Sequence, residues 1–237
     1  MVSLVIYKCL FGRNEPDNPA PVTDDSSVDL ICFTDDPDLR SSVWDVRLVQ
    51  EDLIDAARRA KKIKHLPHRY LGKYAASMFI DNTISLRQKP SVYFDLLDNS
   101  ESSHLAFRHP IRDCVYDEAD AVLELSYDDP GRVREQIYIY RAAGYPEHHG
   151  LTANTVMLRR HNDPSLVRVN EDWREQVLRY SKRDQLSLHV MFWKHGYTPG
   201  VIDMDIRDNE LVEWDNVIPG RGPRHVAEMP WLIPPGQ

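Results

Sequence analysis

The sequence predicts an α/β fold with a mainly parallel central sheet flanked by helices. Three observations carry that expectation. Short runs rich in Val, Ile and aromatic residues alternate with longer segments whose apolar residues recur at helical spacing. One run, residues 75–80, is almost wholly apolar, as suits a central strand covered on both faces. With 237 residues, 42% of them hydrophobic, and five Trp, eleven Tyr and six Phe, the chain can bury a sizeable core within a single domain. That domain is placed at residues 1–218, and residues 219–237, dense in Pro and Gly, read as an irregular tail packing on it.

Residues 4–7, 30–33 and 43–49 predict strands, separated by Pro-, Asp-, Asn- and Ser-containing loops. Asp52 is the expected N-cap of a helix to about His65, in which Leu53, Ile54, Ala57, Ala60 and Ile63 recur at helical spacing; Pro67 ends or kinks it. Residues 69–73 lead into the 75–80 strand, which Asp81 terminates. Downstream, 104–107 predicts a strand, 116–125 an acidic helix, and 132–143 a helix stopped by Gly144 and Pro146. Residues 155–158 predict a further strand, 170–180 an amphipathic helix, and 183–194 a helix whose apolar members include Leu186, Val190 and Trp193. The sequence contains no internal repeat and no low-complexity segment.

Composition excludes several classes. The net charge of −8 repels a long phosphate backbone, so nucleic acid is not an expected partner, and modification of DNA bases would need a basic acceptor face. No apolar run approaches the ~18–20 residues of a transmembrane segment, and the start MVSLVIYKCLFGR lacks a basic region ahead of its apolar stretch. A soluble, cytoplasmic protein is expected. Cys9, Cys32 and Cys114 lie far apart with no CxxC pair, which argues against a disulfide framework and a closed zinc site and for reduced, structural thiols. HExxH is absent, and adjacent His148 and His149 would point in different directions on a regular element. GxSxG, Walker and GxGxxG patterns are absent too, so serine-hydrolase, P-loop and dinucleotide fingerprints are missing.

In an open α/β sheet, ligands bind beyond the carboxyl ends of the strands. Asp81-Asn82-Thr83 therefore comes first: a carboxylate followed two residues on by a hydroxyl can hold Mg2+ or Mn2+ while phosphate oxygens take its far side, or the segment is simply an Asx-type turn. Arg58, Lys61, Lys62 and His65 share a helix face with Lys64 at its margin, forming either a solvated stripe or a diphosphate contact. Arg183-Asp184-Gln185 opens a helix, with Ser181 as a candidate cap. Asp184 is then either a first-turn acid favoured by the helix dipole or a catalytic carboxylate. Asn154, ahead of an apolar strand, hydrogen-bonds sugar hydroxyls or pins a loop. Residues 109–118 combine an imidazole, a guanidinium and carboxylates, as either a buried ion-pair network or part of a sugar site.

A set of motifs in order adds to these readings. They are Val5-Ile6-Tyr7 with Phe11-Gly12, Ile31-Cys32-Phe33-Thr34-Asp35, Trp44, Lys64-His65-Leu66-Pro67-His68, Met78-Phe79-Ile80-Asp81, the stretch from His109-Pro110-Ile111-Arg112-Asp113 through Cys114-Val115-Tyr116-Asp117-Glu118-Ala119, Gly144-Tyr145-Pro146, Gly150-Leu151, Arg159-Arg160-His161-Asn162, and Arg183-Asp184-Gln185-Leu186-Ser187. Over about residues 4–195 the chain resembles the plant and bacterial TOD/MUCI-type glycosyltransferase-like family. The resemblance implies a GT-A-type nucleotide-sugar fold. More distantly, Asp81, Asn154, Asp184-Gln185, and His225 followed by Pro230-Trp231 are ordered as in glycogenin-like retaining transferases.

Carried over, that likeness makes Asp81, Thr83 and His225 metal ligands, with His189 and His195 competing for the late position. Lys64 becomes a diphosphate contact and Asn154 a sugar contact, and Tyr7, Asp35, Arg58 and Lys61 are placed on the donor-binding side. Asp184 and Gln185 stand nearest the chemistry. Thr83 departs from the pattern, which expects a second carboxylate there. The implied activity is metal-assisted sugar transfer, with Mn2+ or Mg2+, from a nucleotide sugar, a UDP-sugar favoured, to a glycan or other hydroxyl acceptor in polysaccharide biosynthesis. Two other classes stay open: metal-dependent amide hydrolysis, because one plant branch of the family is described as a ceramidase, and a non-catalytic carbohydrate- or nucleotide-binding module, because Thr83 weakens the metal site.

Overall fold

A computed structural model describes residues 3–12, 27–50 and 55–214. Its centre is a seven-stranded sheet made of β1 (Leu4–Leu10), β2 (Val28–Thr34), β3 (Asp45–Leu48), β4 (Ala76–Ile80), β6 (His104–Arg108), β7 (Thr152–Arg159) and β8 (Gly200–Ile202), in the order β3-β2-β1-β4-β7-β6-β8. Neighbours are parallel except at β7, which runs antiparallel to both β4 and β6. The mainly parallel α/β sheet expected from the sequence is what the chain forms. β5 (Ile84–Leu86) and β9 (Val212–Trp214) make a separate antiparallel pair.

Both faces of the sheet are covered, which explains the continuous apolar character of its middle strands. In β1, Val5 and Tyr7 enter one core with Ile63, Trp173 and Leu188, while Ile6 and Leu10 enter another with Met78, Phe94 and Val212. The first core is closed by α1 (Ala56–His65), α4 (Val115–Glu124), α5 (Pro130–Ala142), α6 (Pro164–Arg179) and α7 (Gln185–Lys194). The second is closed by α3 (Pro90–Asp98) and the β5–β9 pair. All five residues of β4 are buried, and Asp81 follows at its carboxyl end.

The structure moves several predicted boundaries. Asp55 caps α1 by accepting from Arg58 N at 3.0 Å; Asp52 lies outside the described residues. Of the two roles expected for Pro67 the structure shows the ending and not the kink: α1 stops at His65. Pro67 opens the short α2 (Pro67–Tyr70), where a missing N–H is harmless. The same tolerance lets α6 start at Pro164 under an Asp163 cap, six residues ahead of the predicted start at 170. Ser181 does not cap α7: its hydroxyl donates to Asp128 and accepts from Arg183 N, and Asp184 occupies the N-cap position. β5, β8 and β9, three residues each, and Pro-initiated α3 carry too little periodicity to be read from sequence. Among the described residues, no helix is long and apolar enough to cross a membrane. Residues 219–237, and with them His225, lie outside the described residues.

Candidate active site

The carboxyl end of β4, the start of β7, the 109–112 segment after β6, the last two turns of α1 and the N-terminus of α7 converge on one cleft. It encloses about 130 Å³, or about 710 Å³ when the space toward solvent is counted. Because β7 alone runs antiparallel, its first residues stand beside the last of β4, where Asp81 N donates to Thr155 O at 2.7 Å. Asp81, Thr83, Asn154, Lys61, Lys64, Asp184 and Gln185, seven residues predicted from sequence for a shared site, all line this cleft.

Asp184 is the electrostatic centre. Its side chain is 6% exposed, with Lys61 Nζ 3.0 Å from Oδ1, Lys64 Nζ 2.6 Å from Oδ2 and His65 Nε2 3.6 Å from Oδ2. Burial alone would raise its pKa, but the Lys61 and Lys64 charges and the His65 contact outweigh it and hold the carboxyl well below the usual range. Burial also pushes Lys61 down to about 8 against the pull of Asp184, and His65 down to about 3, so that imidazole is neutral. Trp173 fixes the arrangement from behind: its indole N–H donates to Asp184 O at 2.9 Å, and its ring lies 3.8 Å from that of His65.

On the opposite wall, Glu118 accepts from Arg112 Nη1 at 2.9 Å, with His109 Nε2 at 3.7 Å and Arg183 Nη2 at 4.0 Å. Burial raises the Glu118 carboxyl above its ordinary value despite Arg183 and Arg112, and burial with those same cations lowers His109 to about 3. Residues 109–118 are thus an ion-pair network and a wall of the cleft at once. Three polar atoms of cleft-lining residues are buried without a hydrogen-bond partner among the described residues: Asn154 Nδ2, Thr155 Oγ1 and Arg183 Nε. Asn154 Oδ1 accepts from Thr152 Oγ1 at 3.1 Å, which leaves the amide N–H2 group as an unused donor. A cluster of cations with idle donors, in a recess, is suited to a polyanionic, hydroxyl-rich ligand.

Three residues placed on the donor side from sequence point elsewhere. Tyr7 is fully buried, its hydroxyl donating to Lys64 O at 3.4 Å and accepting from Arg159. Arg58 turns away from the cleft to the end of α6, donating to Val177 O at 3.0 Å and Tyr180 O at 2.9 Å. Asp35 accepts from Gly12 N at 2.9 Å and Arg59 Nη2 at 2.7 Å. The basic stripe therefore splits: Lys61, Lys64 and His65 face Asp184, while Arg58 fastens α1 to α6. His189 meets Thr152 Oγ1 at 3.0 Å, and His195 meets Asp172 at 3.0 Å; neither lines the cleft. Trp214, from unpredicted β9, does line it, and no local pattern marks that residue.

Asp81 and Thr83 offer a carboxylate and a hydroxyl, the hard oxygens that suit Mg2+ or Mn2+. Asp81 Oδ1 also accepts from Asn82 N at 3.1 Å, and Ile84 N donates to Asp81 O at 3.0 Å, so the segment closes a main-chain β-turn in place of the Asx-type turn expected as its alternative role. Asn82 faces inward, accepting from Lys8 Nζ at 3.2 Å.

A mainly parallel α/β sheet with a cation-lined cleft beyond its strand ends is an arrangement that receives a polyanionic ligand. The family model for the TOD1/MUCI70, glycosyltransferase-like domain matches residues 22–206, most of the chain, and the chain belongs to that family. No curated protein matches it.

Proposed function

We propose that the chain is a glycosyltransferase that moves a sugar from a nucleoside-diphosphate donor, a UDP-sugar favoured, to a glycan or other hydroxyl acceptor. The observation that carries this reading is the convergence of Asp81, Lys61, Lys64, Asn154 and Asp184 on a single cleft. Lys61, Lys64 and Arg183 bind the diphosphate and stabilise the charge that develops on it as the glycosidic bond breaks. Asn154 Nδ2 and Thr155 Oγ1 orient the sugar. An entering diphosphate competes with Asp184 for its two lysines and frees the carboxylate to face the oxocarbenium-like carbon, with Gln185 beside it. Asp81 and Thr83 would hold Mn2+ or Mg2+, which supplies Lewis-acid neutralisation of the leaving group when bound. Among the described residues His109 is the one histidine lining the cleft, which gives amide hydrolysis by a histidine-bound zinc no support.

The test is turnover of a panel of nucleotide sugars with and without Mn2+. Transfer or slow hydrolysis of one donor, abolished by Asp184→Asn, supports the reading; unchanged turnover in that variant removes Asp184 from the mechanism. A non-catalytic binding module is the second reading, favoured by the hydroxyl at Thr83 and by the neutralisation of Asp184. Donor binding without turnover on any acceptor selects it.

A further inference from the structure

The 109–114 segment, whose His109 and Arg112 line the cleft, ends at Cys114, the N-cap residue of α4, whose side chain makes no capping bond. Cys114 Sγ, a carboxylate oxygen of Asp117 and a ring nitrogen of His148 all lie within 4.8 Å of one another. Among the described residues, no other three side chains of metal-ligating type come together in this way. Cys114 is buried, whereas Asp117 and His148 are exposed.

From these contacts we infer a second, peripheral metal site, with Cys114, Asp117 and His148 as three protein ligands to one zinc-class divalent ion. Thiolate, imidazole and carboxylate together form the borderline-soft set that suits Zn2+ and distinguishes this site from the all-oxygen pair Asp81 and Thr83. Tetrahedral zinc with ligands at ~2.0–2.3 Å separates its donor atoms by roughly 3.3–3.8 Å, so separations of at most 4.8 Å need to close by no more than about 1–1.5 Å. Rotation of the exposed Asp117 side chain, with a small shift of His148 that keeps its bond to Asp113, supplies that. Two further features fit. His148 holds a left-handed backbone, φ 51°, a costly conformation for a non-glycine residue. Its Nδ1 lies 2.7 Å from Asp113 Oδ1, the kind of outer carboxylate that orients a metal-bound imidazole.

The ion would tie two chain segments that both feed the cleft. Residues 109–114 carry His109 and Arg112, and the segment with His148 leads directly into β7 and Asn154; Gly150 N already donates to Asp113 O at 2.9 Å across the same gap. Bound metal stiffens this wall whatever the cleft binds, so the inference stands apart from the sugar-transfer reading.

The experiment is a titration of the chelator-treated full-length protein with Co2+, followed by displacement with Zn2+. One saturable equivalent with a near-ultraviolet thiolate-to-cobalt charge-transfer band is expected. Cys114→Ser should remove the band, and His148→Ala, at an exposed position that leaves the core intact, should weaken binding at least ~10-fold. Asp113→Asn should weaken it ~10–100-fold. Asp81→Asn should leave band and affinity unchanged, which separates this site from the proposed donor metal. Absence of the band in the unaltered protein, its persistence in Cys114→Ser, or unchanged affinity in His148→Ala overturns the assignment.

Discussion

Replacing Asp184 by Asn tests the electrostatic core of the cleft most directly. The carboxylate sits 3.0 Å from Lys61 Nζ and 2.6 Å from Lys64 Nζ, and the Asp184 and Lys64 side chains are 6% and 8% exposed. An amide of the same shape leaves two partly desolvated ammonium groups facing each other. Breaking a buried ion pair from one side is worth about 3–5 kcal/mol, and a chain of this size loses ~2–4 °C per kcal/mol, so thermal unfolding at pH 7 should fall by about 6–20 °C. Adding Lys61→Met to the Asn variant removes one stranded charge and should recover a large part of the loss. The pH dependence follows from Lys61, whose folded pKa of about 8 lies below its unfolded value. Above about pH 8 the unfolded chain holds the proton more tightly, so stability rises with pH until the unfolded lysine also titrates. Without Asp184 the folded pKa drops further, the rise begins at lower pH, and the deficit of the variant narrows in alkali. A melting temperature within about 4 °C of the unaltered protein at pH 7, or a deficit that widens with pH, would refute the paired-lysine account.

Three other outcomes are expected. His65 and His109 are held near pKa 3 and His161 and His189 near 4, all by burial, while the unfolded imidazoles titrate near ~6.5. Stability is therefore present above that value and drains away as pH falls toward the folded values. At pH 5 each group removes about 2 kcal/mol and the four about 8 kcal/mol, comparable with a whole domain's ~5–15 kcal/mol; a urea midpoint unchanged between pH 7 and pH 5 contradicts this. Asp55→Ala removes the N-cap of α1, the helix that carries Lys61 and Lys64, and should lower stability by ~0.5–2 kcal/mol in urea unfolding. Gly150→Ala places a Cβ 3.4 Å from His189 Nδ1 at φ +91°, so a loss of about 1–2 kcal/mol is expected, read by the same titration.

Local chemistry was legible in the chain wherever one element decided it. The wholly buried 76–80 strand announces itself by its apolar run, and Asp81 by ending it. Asp184 could be singled out because it opens a helix, and Asn154 because it precedes the apolar run of a strand, although β7 begins two residues earlier, at Thr152. The direction of a side chain on an element was not legible. Arg58 and Lys61 stand one helical turn apart, yet Arg58 faces the terminal carbonyls of α6 and Lys61 faces Asp184. Tyr7 shares its strand with residues of both cores, and only the packing of Arg159 beneath it shows that its hydroxyl is spent internally.

By itself, then, the order of apolar runs and amphipathic segments determined the α/β layering, because periodicities of 2 and 3.6 residues are properties of a single segment. Tertiary structure decided the rest. Reversal of β7 brought Asn154 and Thr155 to the end of β4 at Asp81, the packing of α1 and α7 against α6 set two lysines on Asp184, and closure of the 148 loop brought a histidine to Cys114. Each of these joins groups from 34 to 123 residues apart, and no local pattern encodes a distance between segments that meet only when the sheet is assembled.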